Sequence, residues 1–279
     1  MNTKIVRYIL CRMLGVEAAL LLVPVLVAVI YQEKCGIVFL IPIVILCLLF
    51  LVAGRKRPEH GQIYGKEGMV IVALAWILWS LFGAMPFTLS GYIPSYVDAF
   101  FETVSGFTTT GSSIIPDVEV LPHCLLFWRS FTHWIGGMGV LVFVLVVTSL
   151  DRKNSMHLMR AEVPGPEKDK LVPKAMSTAR ILYGMYLTLT VIEMVFLVIG
   201  GMNLFDSMIF SFGSAGTGGF SNYADSVAHF NSAYIDGVIT VFCALFGVNF
   251  ALFYFMILGD FKSILKNEEL RTYILLIAG

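Results

Sequence analysis

The sequence predicts an all-α polytopic membrane protein in which an N-terminal helix hairpin is followed by tandem helix–pore loop–helix repeats. Three observations predict this class. Of the 279 residues, 58% are hydrophobic and 14% are charged, whereas soluble domains hold about 25% charged residues. Several apolar segments have the length of a helix that spans a bilayer. Two short Thr/Gly-rich segments, each too short to span, recur between these longer segments at one fixed offset.

Six apolar segments are long enough to cross a bilayer, which takes about 20 helical residues. They are Ile5–Tyr31, Gly36–Ala53, Gly68–Leu89, Leu121–Leu150, Ile181–Gly200 and Tyr234–Leu258. A seventh begins near Leu270 and stops inside an apolar run at Gly279, so we expect a truncated chain. We expect the first segment to be a membrane helix and not a cleaved signal, because Glu17 interrupts its apolar run and a second span follows at once.

One short sequence pattern occurs twice in the chain. Asp98–Gly111 and Asp206–Gly219 align without a gap at an offset of 108 positions, the distance from Asp98 to Asp206. The same offset pairs Thr109 with Thr217, Asp117 with Asp225, and Gly139 with Gly247. Non-helical backbone at membrane depth has to be buried in protein or line a watery path. Each copy is therefore predicted to be a re-entrant pore loop, and the pair indicates passage of something small through a membrane.

Basic residues predict the orientation, because Lys and Arg concentrate in the cytoplasmic loops of membrane proteins. They are frequent in Arg55–Lys66 and in Asp151–Lys174. By contrast, Ser90–His123 and Gly201–Asp236 contain acidic residues and neither Lys nor Arg. We therefore predict that both loop segments face outward and that the N-terminus is cytoplasmic.

This orientation divides the chain into five parts. Each outer segment joins two helices that run in opposite directions, so its apolar part has to enter the membrane and return. The predicted parts are a transmembrane hairpin over residues 1–66, a first helix–pore loop–helix repeat over 67–150, a cytoplasmic linker over 151–174, a second repeat over 175–258, and the start of a third repeat over 259–279.

The loops carry the residues that a cation filter needs. Asp98 and Asp206 are good N-caps, so short pore helices are predicted to begin at about residues 99 and 207. The C-terminal end of each helix carries partial negative charge, which favours a cation. Thr108–Gly111 and Gly216–Gly219 follow these helices. A filter turns successive backbone carbonyls toward an axis, in dihedral angles that glycine tolerates.

Several residues inside the predicted spans are expected to act in packing. Small residues allow close approach of backbones, and this is the role expected of Gly136, Gly137, Gly139 and Gly247. A buried Arg129 should be paired and is expected to tether the first loop, not to line the ion path. Glu193 is expected to be paired within the bundle, with a role near the ion path as the alternative. His133 is expected to be a packing residue.

Composition excludes several other partners. The 19 Lys and Arg residues balance the 19 Asp and Glu residues, so net charge predicts no nucleic-acid partner. The five cysteines have no CxxC spacing, which argues against a metal site or a disulfide framework. We expect no cofactor bound by this chain.

These residues resemble the Trk/Ktr/HKT potassium transporter superfamily, most closely its bacterial Trk-type membrane subunit. The motifs that carry the resemblance are Gly106–Ser113 (GFTTTGSS), Phe127–Ser130 (FWRS), Trp134–Gly139 (WIGGMG) and Gly216–Ser221 (GTGGFS). The resemblance implies four K⁺-channel-like repeats around one pore, after an extra N-terminal helix pair. Two of these repeats and the opening of a third are present here, so the remaining ones would lie C-terminal to residue 279.

The resemblance also implies a function, partners and filter positions. It implies K⁺ uptake across the bacterial cytoplasmic (inner) membrane by a homodimer, gated by a cytosolic nucleotide-binding regulatory subunit (TrkA-like). The implied K⁺ ligands are backbone carbonyls of Thr109, Thr110, Gly111, Thr217, Gly218 and Gly219. A glycine at Gly111 goes with K⁺ preference in the family. The mode of transport, channel-like or coupled to H⁺ or Na⁺, stays open.

Three alternatives compete with this interpretation. An intramembrane serine hydrolase would use Ser105, Ser112 or Ser214 with a histidine, but no nucleophile–base pair has a recognisable spacing. An aquaporin-like or secondary transporter with two broken loops would have inverted repeats, whereas both loops here are predicted to enter from the outer face. A non-conducting homologue would keep the fold and lack ion flux.

The predicted orientation can be tested by labelling single cysteines on a cysteine-free background in intact cells. A membrane-impermeant maleimide should label positions in Ser90–His123 and Gly201–Asp236, and it should label Ser155→Cys and Glu167→Cys after the membrane is permeabilised. The reason is the uneven distribution of Lys and Arg. Labelling of Ser155→Cys or Glu167→Cys in intact cells would overturn the orientation.

Overall fold

A computed structural model describes residues 2–55, 58, 65–139, 175–257, 259, 260, 264 and 266–278. The regular structure of these residues is helical, which confirms the all-α prediction. The helices are α1 (Thr3–Leu20), α2 (Leu22–Ile30), α3 (Leu40–Leu49), α4 (Gly65–Leu89), α5 (Tyr96–Phe107), α6 (His123–Gly137), α7 (Ala175–Ile199), α8 (Leu204–Ala215), α9 (Ala233–Phe246), α10 (Phe250–Ile257) and α11 (Glu268–Ala278). The predicted linker Asp151–Lys174 lies outside the described residues.

Four helical stretches in the described part of the chain are long and apolar enough to cross a membrane. They are Thr3–Ile30, Lys34–Gly54, Lys66–Leu89 and Ile181–Ile199. Each coincides with one of the predicted spans. The first two form the predicted N-terminal hairpin, and the other two are the first helices of the two predicted repeats.

The other two predicted spans are wrong as continuous helices. In the first repeat α6 ends at Gly137, and Gly139 has a φ of +75°. Its N–H bonds to the carbonyl of Gly136, three residues back, so the α-helical ladder stops there. In the second repeat α9 ends at Phe246 and α10 begins at Phe250. Both breaks fall at nearly the same position of the repeat, where the sequence pattern showed only an uninterrupted apolar run.

The pore helices begin earlier than predicted, and neither aspartate is the cap. Ser95 caps α5, and its hydroxyl accepts the N–H of Asp98 at 3.4 Å. Asn203 caps α8 and accepts the N–H of Asp206 at 2.8 Å. A cap bonds the N–H three residues into the helix, so the aspartates occupy that third position. Their charge still favours the positive end of the helix dipole.

Helix α6 is the central element of the described fold. It packs against both pore helices, α5 and α8, and against α2 of the hairpin. Phe107, the last residue of α5, lies between Trp79 of α4 and Trp128 of α6, with ring centroids 5.6 and 6.1 Å away. All three rings are fully buried. The end of the first pore helix is therefore anchored in an aromatic core.

The turn between the two helices of the hairpin caps α6, although it is distant in sequence. The residue before α6 is Pro122, which offers no side-chain cap. Instead Glu33 accepts the N–H groups of His123 and Cys124 at 2.8 and 3.0 Å, together with Nδ1 of His123 at 2.9 Å. The ring of Tyr31 stacks on that of His123, with centroids 3.9 Å apart. The hairpin is thus fixed to the helix that supports both loops.

Replacing Glu33 by Ala should destabilise the purified protein at pH 7 by about 1 kcal/mol, the typical value of a helix cap. Burial alone would raise the pKa of Glu33, but the hydrogen bonds from Cys124 and His123 outweigh it and hold that pKa below 4.5. The contribution is therefore complete above pH 4.5 and is lost as the pH falls through the lower folded pKa.

Thermal denaturation in detergent between pH 7 and pH 3.5 measures this effect. The difference between wild type and Glu33→Ala should shrink at the acidic end, and the exposed neighbour Lys34→Ala serves as control. Equal stability of wild type and Glu33→Ala at pH 7 would contradict the capping role.

Candidate ion filter

The segments after the two pore helices have the same backbone conformation. After α5, Thr109 and Gly111 have φ values of +56° and +80°. After α8, Thr217 and Gly219 have φ values of +54° and +80°. A threonine with positive φ is an outlier, because its branched side chain disfavours that region. Two such outliers at the repeat offset show that the two loops share one unusual backbone conformation.

Hydrogen bonds repeat with the same offset. The N–H groups of Thr109 and Thr110 bond to carbonyls of α5, those of Gly106 and Ser105, at 3.0 and 2.9 Å. In the second repeat, the N–H of Thr217 bonds to the Ser214 carbonyl at 2.8 Å and that of Gly218 to the Gly213 carbonyl at 3.1 Å. The loop amides thus face back to the pore helices. Left-handed residues alternate along each loop, which is how a chain turns successive carbonyls to one side.

The two loops touch each other. A side chain added at Gly111 would overlap the carbonyl oxygen of Gly218. The backbone of the first loop therefore lies directly against that of the second. The six residues predicted as filter positions, Thr109 to Gly111 and Thr217 to Gly219, are brought together in one place.

The ends of both pore helices pack against two glycines of α6. A Cβ at Gly136 would overlap the carbonyl oxygen of Phe107, the last residue of α5. A Cβ at Gly137 would lie 2.8 Å from the carbonyl oxygen of Ala215, the last residue of α8. Of the other predicted packing glycines, Gly139 follows the end of α6, and Gly247 is the C-cap of α9 beside the hydroxyl of Tyr273.

Arg129 of α6 joins the C-terminal ends of both loops. Its Nε donates to Oε1 of Glu102 at 2.6 Å, and the two side chains are 4% and 1% exposed. Glu102 in turn accepts the hydroxyl of Ser113 and the N–H of Ile114, both at 2.9 Å, just beyond the first loop. Arg129 also donates to the carbonyl of Ser221 at 2.9 Å, just beyond the second loop.

This geometry shows what sequence reasoning missed. The sequence predicts that Arg129 is paired but names no partner for it; Glu102 is one of the acidic residues of Ser90–His123. A signal was available, since Glu102 is the one acidic residue of α5 beyond its first turn. Phe220 was not singled out at all, although its buried ring lies 3.6 Å from the Arg129 guanidinium.

The remaining polar residues lie behind the loops. His133 is fully buried and stacks on Phe220. Glu193 of α7 is fully buried beside Ser214 of α8.

The two aspartates near the starts of the pore helices differ in environment. Asp98 is half-buried, whereas Asp206 is buried and accepts hydrogen bonds from Asn203, Asn222 and Tyr223.

Replacing Arg129 by Gln should destabilise the protein by about 3–5 kcal/mol, because the Glu102 carboxylate is then buried without its partner. Thermal denaturation of the purified protein measures this. The double variant Glu102→Gln/Arg129→Gln removes both charges, so it should be less destabilised than the sum of the two single variants. Additive single effects would show that the pair is not coupled.

Comparisons with known proteins show the family of this chain. Residues 36–278 match the family described as TrkH, cation transport protein. The chain is 35% identical over 258 residues to the Trk system potassium uptake protein TrkH of Escherichia coli K12, covering 91% of this chain and 53% of that protein. It is 35% identical over 286 residues to TrkG of the same strain, covering 100% of this chain and 59% of that protein.

A solved structure has the same fold. The potassium transporter TrkH from Vibrio parahaemolyticus superimposes with a TM-score of 0.84 at 29% identity, covering 99% of this chain and 57% of that one. The chain therefore spans somewhat more than half the length of the relatives it matches. It is a multi-pass membrane protein with the fold of a transporter, not of an enzyme. The chain belongs to the TrkH family of cation transport proteins, as the resemblance of its loop motifs implied.

Proposed function

We propose that the full-length protein takes up K⁺ across the bacterial cytoplasmic membrane through a filter of backbone carbonyls, of which this chain supplies about half. The observation that carries the proposal is the repeated loop backbone, with left-handed Thr109 and Gly111 matched by Thr217 and Gly219. The relatives named as Trk system potassium uptake proteins support K⁺ as the transported ion.

The chemistry of the loops suits a dehydrated cation. Their amides bond to the pore helices, so the loop carbonyls are the groups left to replace the hydration shell of an ion. Both pore helices end at the loops, where their dipoles are negative. The buried acid nearest the first loop, Glu102, is paired with Arg129. Attraction for the ion therefore comes from carbonyls and helix ends.

The contact between the loops favours a pore with rotational pseudosymmetry. Gly111 faces the Gly218 carbonyl, whereas no described atom lies within 4 Å of a Cβ at Gly219. A two-fold axis between the loops would give both glycines equivalent neighbours. We propose that Gly219 faces a third repeat in the same way, with further repeats C-terminal to residue 279. The inverted design of an aquaporin-like or secondary transporter fits this contact poorly.

The proposed partners follow from the family resemblance. They are a second copy of the protein and a cytosolic nucleotide-binding regulatory subunit of the TrkA type, on the side where the N-terminus is proposed to lie. Rb⁺ uptake by the full-length protein in a host deficient in K⁺ uptake tests transport directly. A correctly inserted protein without flux would favour the non-conducting alternative.

Gly111→Ser should lower K⁺ over Na⁺ discrimination by about tenfold, because a Cβ there overlaps the Gly218 carbonyl and displaces a filter ligand. The measurement is Rb⁺ and Na⁺ uptake by the full-length protein, with its amount in the membrane determined in parallel. Insertion should be retained.

Gly91→Ser is a matched control. Gly91 also has a φ of +80°, but nothing lies within 4 Å of its Cβ position, and it follows α4 outside the loops. It therefore carries similar backbone strain without touching the filter. If Gly111→Ser leaves the selectivity at the level of wild type and Gly91→Ser, then Gly111 is not a filter residue.

A further inference from the structure

We propose that Phe220, held between Arg129 and His133 of the first repeat, positions the second filter segment and thereby sets K⁺ over Na⁺ discrimination. This proposal rests on the proposed function. These three side chains are called the Phe220 clamp below. The clamp contains no filter carbonyl, and its effect on the ion is indirect.

The clamp is a three-layer stack. Arg129 and His133 are four residues apart on α6 and thus lie on one face of that helix. The guanidinium carbon of Arg129 lies 3.6 Å from the centre of the Phe220 ring. The His133 ring stacks on Phe220 with centroids 3.9 Å apart and an interplanar angle of 10°. Cation–π and aromatic contacts of this kind stabilise a ring from both faces.

Phe220 reaches from the second repeat into the first. It directly follows Gly219 of the second loop, and only 2% of its surface is exposed. Its ring edge lies 3.5 Å from the Cβ position of Gly106 on the first pore helix. The carbonyl of the next residue, Ser221, accepts a hydrogen bond from Arg129 at 2.9 Å. Side chain and backbone are therefore held together at the C-terminal end of the loop.

His133 also supports the loop from behind. A Cβ at Gly218 would overlap the His133 ring, and a Cβ at Gly216 would lie 2.8 Å from its carbonyl oxygen. The segment from Gly216 to Phe220 therefore lies against α6 along its length. The contacts of His133 with this segment are those of a packed ring.

The clamp has no counterpart in the first loop. At the offset of 108 positions, Ser112 takes the place of Phe220. The first loop is held by the hydrogen bonds of Glu102 to Ser113 and Ile114 instead. Selection between K⁺ and Na⁺ depends on the arrangement of coordinating carbonyls. In the second loop, the arrangement of the carbonyls depends on the Phe220 ring, which packs against α6 of the first repeat.

Phe220→Leu in the full-length protein tests the clamp, because it keeps an apolar side chain and removes the stacking on both faces. The ratio of Rb⁺ to Na⁺ uptake should fall by about tenfold. Phe220→Tyr keeps the ring and should retain most of that ratio. His133→Leu should lower it too, and the double variant with Phe220→Leu should lose less than the sum of the single effects.

Phe242→Leu is the matched control, a phenylalanine of α9 that is also buried and packs against Phe196 and Phe246 away from the loops. Its uptake ratio should equal that of wild type. If Phe220→Leu inserts into the membrane and its ratio of Rb⁺ to Na⁺ uptake equals that of wild type, the clamp is overturned. The clamp is also overturned if Phe220→Leu and His133→Leu fail to insert while Phe242→Leu inserts. That second result would make the clamp a folding element. A wild type that does not prefer Rb⁺ rejects the proposed function itself.

Discussion

The described structure depends on the buried ion pair between Arg129 and Glu102. A charge inside a membrane helix is costly unless it is paired, and this pair is nearly free of solvent contact. Because the partner groups of the pair lie just beyond both loops, one interaction fixes both loops at once. Removing either partner leaves a buried charge and frees the loop end that this partner binds, so the stability of the fold and the geometry of the site are linked at this point.

The two repeats share a backbone but not the side chains that hold it. Left-handed residues and loop hydrogen bonds recur at the same offset. At that offset Glu102 corresponds to Phe210, Arg129 to Gly237, and His133 to Val241. The proposed filter needs equivalent carbonyl positions, which constrains the backbone of each repeat. The supporting side chains are free to differ, since different contacts hold the two loops against α6.

Much of this architecture could be predicted from the sequence. Apolar segment lengths gave four spans that match described helices, and the 108-residue offset identified loops whose backbones are equivalent. Details that depend on local hydrogen bonds were wrong. The sequence predicts Asp98 and Asp206 as caps, but Ser95 and Asn203 lie three positions earlier and accept their N–H groups. The hydrophobic pattern also does not show where a helix ends. Two helices end close to Gly139 and Gly247, although the hydrophobic run continues past both residues. Pairings such as Glu102 with Arg129 join residues 27 positions apart, so the pattern can single out each charge without showing that the two meet.

Charge balance in the site limits how it can select an ion. Glu102 is the acid buried nearest the first loop, and its hydrogen bonds to Arg129, Ser113 and Ile114 use both of its oxygens. Its charge is therefore neutralised by Arg129. In the proposed filter, what remains for the ion is the partial charge of carbonyls and of two helix ends. Partial charges distinguish cations by distance and number of ligands, so the precision of the loops matters more than net charge. The rigid support on α6, from Gly136 and Gly137 to the Phe220 clamp, is what a filter of this kind requires.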